Sequence, residues 1–432
     1  MANVKVQVEP VAKASGDAAD ELRSVYEDLH RNPELSFAEH RTAGIVAERL
    51  RSLGYAVQTG IGRTGVVGVL ARGSGPTVLV RADMDALPVR EQTGLAYAST
   101  ATGIDPAGNE VPVMHACGHD MHVTALLGAA EVLAGEAAEW AGTLVLVFQP
   151  AEENGGGAQV MVDDGLFDRV PTPDIVLGQH VMPLPAGTLG AVAGPAFAAT
   201  DELDIRMFGR GGHGSQPEST IDPVVMAAAT VMRLQAVVSR EIAGAETGVL
   251  TVGQIHAGTK NNIIPDEARL GVNIRSYTDS VRERLVGAVT RIVNAEAQAS
   301  GAAREPEISR GDAFPVLVND AQATARTLDA FRACLGDGAV IEVPRLMGSE
   351  DVGNLAAAAG APLVYWLLGG ADPALFADAA LGPSLPAGVP SNHSPFFAPL
   401  PEPTLRTGIA ALVTAALTWL DDPNETTSKG ER

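Results

Sequence analysis

Thr143-Leu-Val-Leu-Val-Phe148-Gln-Pro-Ala-Glu152-Glu153-Asn-Gly155 runs apolar from Leu144 and then meets two adjacent carboxylates. A short continuous apolar run reads as a strand buried on both faces. Side chains of adjacent residues point in different directions, so one carboxylate could bind a metal while its neighbour faces a reacting water. An exposed charged loop is the plainer alternative. In open α/β sheets, groups placed just past strand ends are where the chemistry gathers.

The same pattern recurs on either side. Upstream, Val66 to Leu70 and Val78 to Val80 are short β-branched runs bounded by glycines. The second leads into Arg81-Ala-Asp83-Met-Asp85-Ala-Leu-Pro88, for which a surface turn is the competing reading. Between these runs and Thr143 lies His115-Ala-Cys117-Gly-His119-Asp-Met-His122. It packs three of the nine histidines and one of the two cysteines into eight residues. Thiolate and imidazole are ordinary zinc ligands. At a spacing of two, His115, Cys117 and His119 share one side of an extended segment. Val123 to Leu133 then reads as an Ala/Leu-rich helix, with His119 at or just before its start. Downstream, Ile175 to Leu177 is a further strand, ending in Gly178-Gln-His180.

Two helices are expected over residues 17 to 53, broken at Asn32-Pro33. The β–loop–α repetition predicts an α/β fold with a mostly parallel sheet. From about residue 198 the grammar changes. Asp201 to Phe208, Val249 to His256 and Ala268 to Tyr277 alternate as half-buried strands. Pro223 to Arg240 and Ser280 to Ala299 read as helices, and Glu307 to Ser309 as a last short strand. The order β-α-β-β-α-β is the ferredoxin-like pattern, so an α+β domain over 198–311 is expected to interrupt a catalytic domain made of 1–197 and 312–432. After 315, helices near 320 to 334 and 351 to 359, a strand from Leu363 to Leu368 and a helix from Thr404 to Leu420 complete the sheet. Gly369 to Pro390 reads as a surface loop leading to Ser391-Asn-His393-Ser-Pro395, and the polar tail is expected to be disordered.

Composition narrows the function classes. The net charge of −22 repels phosphate backbones and anionic membrane surfaces, so no nucleic-acid or membrane partner is expected. Met1 to Pro10 has no apolar core of a signal peptide, and no run approaches the ~18 apolar residues of a membrane span. Two cysteines are too few for a disulfide framework. A cytoplasmic location is the resulting expectation.

Collected, Cys117, His119, Glu153, His180 and His393 exceed the four ligands of one tetrahedral site, which suggests two metals sharing a bridge. Glu152 and Asp85 stand beside them. A zinc nucleobase deaminase would need His-x-Glu and a later Pro-Cys-x-x-Cys. Here His115 precedes Ala-Cys and Cys334 stands alone, so that class is excluded. In the insert, the glycine-dense Gly209 to Pro217 loop lacks the Gly-Lys-Ser/Thr ending of a P-loop. Its versatile residue is His213. Asn261-Asn262 and Arg275 add polar groups, for which turn chemistry is an equal reading.

Together these residues resemble the M20 metallopeptidase group, in its M20D branch of N-acyl amino acid amidohydrolases, which includes hippurate and auxin-conjugate hydrolases. The matching motifs run in family order: Leu29 to Ser36, Arg81 to Pro88, Met114 to His122, Phe148 to Gly155, Gly209 to Pro217, Asn262 to Asp266, Gly348 to Asp351 and Asn392 to Pro395. The resemblance implies a zinc-peptidase-like catalytic domain with an inserted dimerisation, or lid, domain. It implies two divalent ions held by Cys117, His119, Glu153, His180 and His393, with Cys117 as bridge. Such a shell suits zinc and admits manganese, cobalt or nickel. Glu152 would be the general base and Asp85 would orient the metal shell, while Asp83 stands where related enzymes have a ligating His. His115 and His122 would support the ligands. The resemblance also implies a homodimer, or a homotetramer, in which His213 reaches the partner's site. Asn262 and Arg275 would hold an N-acyl amino acid. Val352 replaces a more usual aromatic residue and could widen a pocket. A dipeptidase, a carboxypeptidase or an N-acetyl-diaminopimelate deacetylase stays open within the group. A non-catalytic metal-binding scaffold would be expected to lack Glu152.

Overall fold

The structure is a computed structural model that describes residues 18–136, 138–154, 156–377 and 385–420. The Met1 to Pro10 reading, the polar tail after Leu420 and part of the Gly369 to Pro390 loop lie outside them. The chain forms two compact units. Among the described residues, one comprises those up to Ala196, Val318–Arg345 and those from Asp351 onward; the other comprises Phe197–Leu317 and Leu346–Glu350. Leu346–Glu350 lies outside the expected 198–311, and its contacts explain its placement. The Ala198 N–H donates to Leu346 O and Gly348 O, and Arg275 Nη1 donates to Met347 O.

The first unit begins with α1 (Ala18–Arg31) and α2 (His40–Ser52). In α1, Leu22, Val25, Tyr26 and Leu29 are buried at helical spacing, so one stripe faces the core. Strands β1 (Ala56–Ile61), β2 (Gly65–Arg72) and β3 (Thr77–Asp83) follow. Then come α3 (His119–Ala134), β4 (Gly142–Gln149), β5 (Ile175–Pro185) and the short β6 (Leu189–Gly190).

The second unit is built from β7 (Ala199–Phe208), α4 (Pro223–Glu241), β8 (Gly248–Ala257), β9 (Glu267–Ser276), α5 (Asp279–Ala299) and β10 (Glu307–Phe314). Its four strands are antiparallel in the order β8-β9-β7-β10, the ferredoxin-like arrangement. The last strand is longer than the expected Glu307 to Ser309. Leu203, Ile205 and Met207 pack with Leu270, Val272 and Ile274 beneath the two helices.

Returning to the first unit, α6 (Ala321–Leu335), α7 (Gly353–Ala359), β11 (Leu363–Ala371) and α8 (Pro401–Leu420) complete the chain. The seven-stranded sheet has the order β1-β2-β4-β3-β5-β11-β6. Only the central β4-β3-β5-β11 ladders are parallel; β1-β2, β2-β4 and β11-β6 are antiparallel. The unpredicted β1 accounts for part of this difference. Its residues run from exposed and intermediate to a buried Ile61 without strict alternation, which leaves no period-2 signal. Helix α3 is buried on nearly every face, as its all-round apolar sequence requires. Its Gly128 lets α8 approach, since a Cβ there would lie 2.6 Å from Ile409 Cδ1.

Candidate metal centre

The carboxyl ends of the central parallel strands deliver the site. Strand β3 ends on Asp83, and β4 ends on Gln149, just before the turn that carries Glu152 and Glu153. His180 was expected at a strand end, but β5 continues to Pro185. The last β3–β5 pair is Arg81 with Gly178, so His180 lies two residues beyond the last paired position, level with Asp83 at the end of β3, while β11 still pairs with it through Leu367. Its side chain therefore emerges where the pairing between β3 and β5 has ended.

Gly118 separates Cys117 from His119 and has φ +80°, a region that favours glycine. A Cβ there would lie 2.4 Å from Val181 Cγ1, so only glycine lets this segment sit against β5. As a result Cys117 Sγ is 3.5 Å from His180 Nε2, and His119 opens α3. The loop bearing His393 is tied to the same segment by the His393 N–H, which donates to Ala116 O at 2.8 Å. Asn392 Nδ2 donates to Val181 O at 3.2 Å.

Several overlapping groups result, three of which join the expected ligands and Glu152. Cys117, His119 and His180 each bring a ligand atom within 4.8 Å of the others, and so do Cys117, Glu153 and His393, and His119, Glu152 and Glu153. Glu153 Oε2 is 3.3 Å from His393 Nε2, and its Oε1 is 3.8 Å from His119 Nε2. Glu152 Oε2 lies 4.0 Å from that same nitrogen. The two carboxylates thus converge on His119 rather than diverging, because they sit in a turn and not in a strand. They are not an exposed charged loop, and Asp83 and Asp85 are buried rather than in a surface turn.

The electrostatics fit a cation. His119 Nδ1 faces Asp85 Oδ1 at 3.3 Å, while His119 Nε2 and Glu153 Oε1 are buried without a hydrogen-bond partner. Each such orphan costs about 1–3 kcal/mol unless something coordinates it. Burial alone would lower the His119 pKa, but Asp83 and Asp85 outweigh it and raise the imidazole to about 10. The cage therefore favours a positive charge at this ring. Burial raises the Cys117 thiol well above its ordinary value, with Glu153 and Glu152 adding to it. A divalent ion would reverse that shift. His180 Nδ1 donates to Val181 O at 2.8 Å, which leaves Nε2 as the free lone pair towards Cys117.

The surrounding shell is held by residues whose roles were not all anticipated. Asp85 accepts from Ser36 Oγ at 2.6 Å and from the Glu152 and Glu153 N–H groups. Asp83 uses Oδ1 for His122 Nδ1 at 2.5 Å and Oδ2 for the buried Arg81 at 2.7 Å. His122 Nε2 accepts the Val181 N–H, so both its nitrogens are engaged. His115 is buried with neither nitrogen partnered. Sequence reasoning missed Glu39, which accepts the Ala151 N–H, and the buried His30, which bridges Asp120 and Glu91. His30 and Ser36 stood in a motif already singled out, but nothing in their spacing announced partners tens of residues away.

His213, Asn262 and Arg275 lie in the second unit. Pairing of Gly212–His213 with Ile263–Ile264 brings His213 beside Asn262. His213 Nδ1 accepts the Ser215 N–H, which leaves Nε2 to carry the proton. Arg275 on β9 gives Nε to Asn273 Oδ1 and Nη1 to Met347 O. Among the described residues, Nη2 has no such bond, so the guanidinium offers one free edge rather than a full fork.

Among the described residues, no helix is long and apolar enough to cross a membrane. The profile of peptidase family M20/M25/M40 matches residues 79–418. The chain is 36% identical to thermostable carboxypeptidase 2 of Saccharolobus solfataricus, over 84% of this chain and 89% of that protein. It is 38% identical to the hippurate hydrolase of Campylobacter jejuni, over 78% and 85%. A dinuclear metal-binding M20-family peptidase from Bacillus subtilis superposes with a TM-score of 0.72 at 28% identity, covering 93% of this chain and 99% of that one.

Proposed function

The chain belongs to peptidase family M20/M25/M40 and is a metal-dependent amidohydrolase, and from that premise we propose that it cleaves N-acyl amino acids to a carboxylic acid and a free amino acid. The observation that carries this reading is the convergence of Glu152 and Glu153 on His119, with Cys117 common to two of the ligand groups. Cys117, His119, Glu153, His180 and His393 would hold two divalent ions, Cys117 being the residue common to the group with His119 and His180 and the group with Glu153 and His393. When bound, such ions lower the pKa of water and stabilise negative charge on the amide oxygen. Glu152 removes a proton from the attacking water as the new C–O bond forms. It returns that proton to the departing nitrogen as the C–N bond breaks. Asp85 keeps Glu152 and Glu153 in place through their backbone amides.

The His213 Nε2–H is available to donate to the substrate carbonyl from a second copy of the chain. Arg275 Nη2 and Asn262 would hold the substrate's free carboxylate and its flank. Pairing of two copies through the second unit is supported by exposed apolar residues there, Val225 and Met232 on α4 and Ile255 on the edge strand β8.

The test is hydrolysis of a panel of N-acyl amino acids, N-acetyl-diaminopimelate and dipeptides, with added zinc or manganese and with chelator. Release of the acid from N-acyl amino acids, lost on chelation, is expected. Turnover of dipeptides alone would move the protein to a peptidase, the activity that its similarity to a carboxypeptidase favours. Activity that survives complete metal removal would overturn the metal assignment.

A further inference from the structure

Glu39 has no role in the reaction above, yet it is fully buried beside the turn that supplies two of its carboxylates. Its Oε1 accepts the N–H of Ala151 and that of Phe37, each at 2.9 Å, and its Oε2 accepts from the Thr64 Oγ1 hydroxyl, which can turn to accept instead, at 2.5 Å. Ala151 has φ +50°, an uncommon value for a residue with a Cβ. Such a conformation persists only where its surroundings hold it. The next two amides, of Glu152 and Glu153, end on Asp85. Three successive N–H groups of one turn therefore terminate on two carboxylates, brought from just before α2 and just after β3.

We propose that Glu39 is a positioning residue for the amide hydrolysis: by holding the Ala151 N–H it fixes the turn from which Glu152 and Glu153 project. This rests on the reading of Glu152 as the proton carrier. Glu39 works through a backbone amide, so what it must supply is an acceptor at Oε1. Burial, then the charge of Asp85, raises its carboxyl to about 7 against the pull of its hydrogen bonds. A neutral carboxyl can keep Oε1 as acceptor while its O–H donates to Thr64 Oγ1. A glutamine can reproduce that pattern, with its amide nitrogen donating to the same hydroxyl. Alanine cannot, and aspartate draws the carboxylate back by one methylene.

The experiment compares Glu39→Ala, Glu39→Gln and Glu39→Asp in the full chain. Backbone hydrogen exchange of peptides covering 149–154, kcat and KM on the best amide of the panel, and the thermal midpoint are measured. Glu39→Ala is expected to speed exchange at 149–154 by ~10-fold or more, with peptides from the central strands unchanged. Its kcat should fall ~10–100-fold with KM within about threefold, since misplacing a carboxylate by a fraction of an ångström mainly affects the reacting geometry. Glu39→Gln should recover both measurements. Glu39→Asp should show the same local loss in milder form, and it serves if the alanine variant does not fold. Unchanged exchange at 149–154 in both the alanine and aspartate variants, a uniform rise across the chain, or a glutamine variant as impaired as alanine would each overturn the proposal. Wild-type protein that hydrolyses none of the panel would instead count against the proposed reaction, while the exchange data would still judge the role of Glu39 in the turn.

Discussion

Asp85 Oδ1 accepts the backbone N–H of Glu152 at 3.0 Å, and its other oxygen takes that of Glu153 at 3.1 Å. One carboxylate from the end of β3 thus sets the backbone of both residues that face His119. In Asp85→Asn one oxygen becomes an NH2 group that cannot accept, so an N–H is left unpaired at a cost of about 1–3 kcal/mol. The expected outcome is a kcat lower by ~10-fold or more, with a lowered thermal midpoint. Steady-state kinetics checks this, and a variant with wild-type kcat would remove Asp85 from the arrangement.

Glu152→Gln keeps the shape of the side chain but cannot carry the proton. Loss of a general acid–base group costs roughly 10²–10⁴ in kcat. Metal content, measured by elemental analysis, should stay at the wild-type level because Glu153 and the other ligand candidates are untouched. Full activity in this variant would contradict the proposed mechanism.

Cys117 is common to the group with His119 and His180 and to the group with Glu153 and His393. Cys117→Ala should therefore reduce metal content more than His393→Ala, which removes a member of only the second of these two groups. Titration of the metal-free proteins with zinc, followed calorimetrically, distinguishes the two. Equal losses would argue against a shared ligand at Cys117.

His30 sits between Asp120, at 2.6 Å, and Glu91, at 3.0 Å. Burial opposes its charge, but Asp120 and then Glu91 outweigh it and raise the imidazole from 6.5 to about 10. A folded pKa above the unfolded one means the stabilisation is complete below 6.5 and disappears as pH rises through about 10. His30→Gln removes one partner of a buried ion cluster, a change that typically costs ~3–5 kcal/mol. Urea unfolding from pH 6 to pH 10 should show the gap between wild type and variant narrowing as pH rises. A gap that stays constant across that range would mean His30 is uncharged in the folded protein.

The sequence by itself determined the central strands, the helical stripes and the alternation of the insert. Those signals are local: apolar periodicity is written in consecutive residues, and Leu22 to Leu29 or Leu203 to Met207 need no distant partner to be read. It also supplied the ligand types, since a Cys and three His in eight residues are a chemical statement before they are a structural one. Only the tertiary structure decided how these groups meet. It carried His180 past the last paired position of β3 and β5 and level with Asp83, because register depends on two strands and not on one. It turned Glu152 and Glu153 to the same imidazole, because the turn's backbone is bent by Asp85 and Glu39 from elsewhere in the chain. Those acceptors are ordinary acidic residues in sequence. They acquire a role only when folding removes water and leaves each buried N–H dependent on whichever oxygen lies within reach.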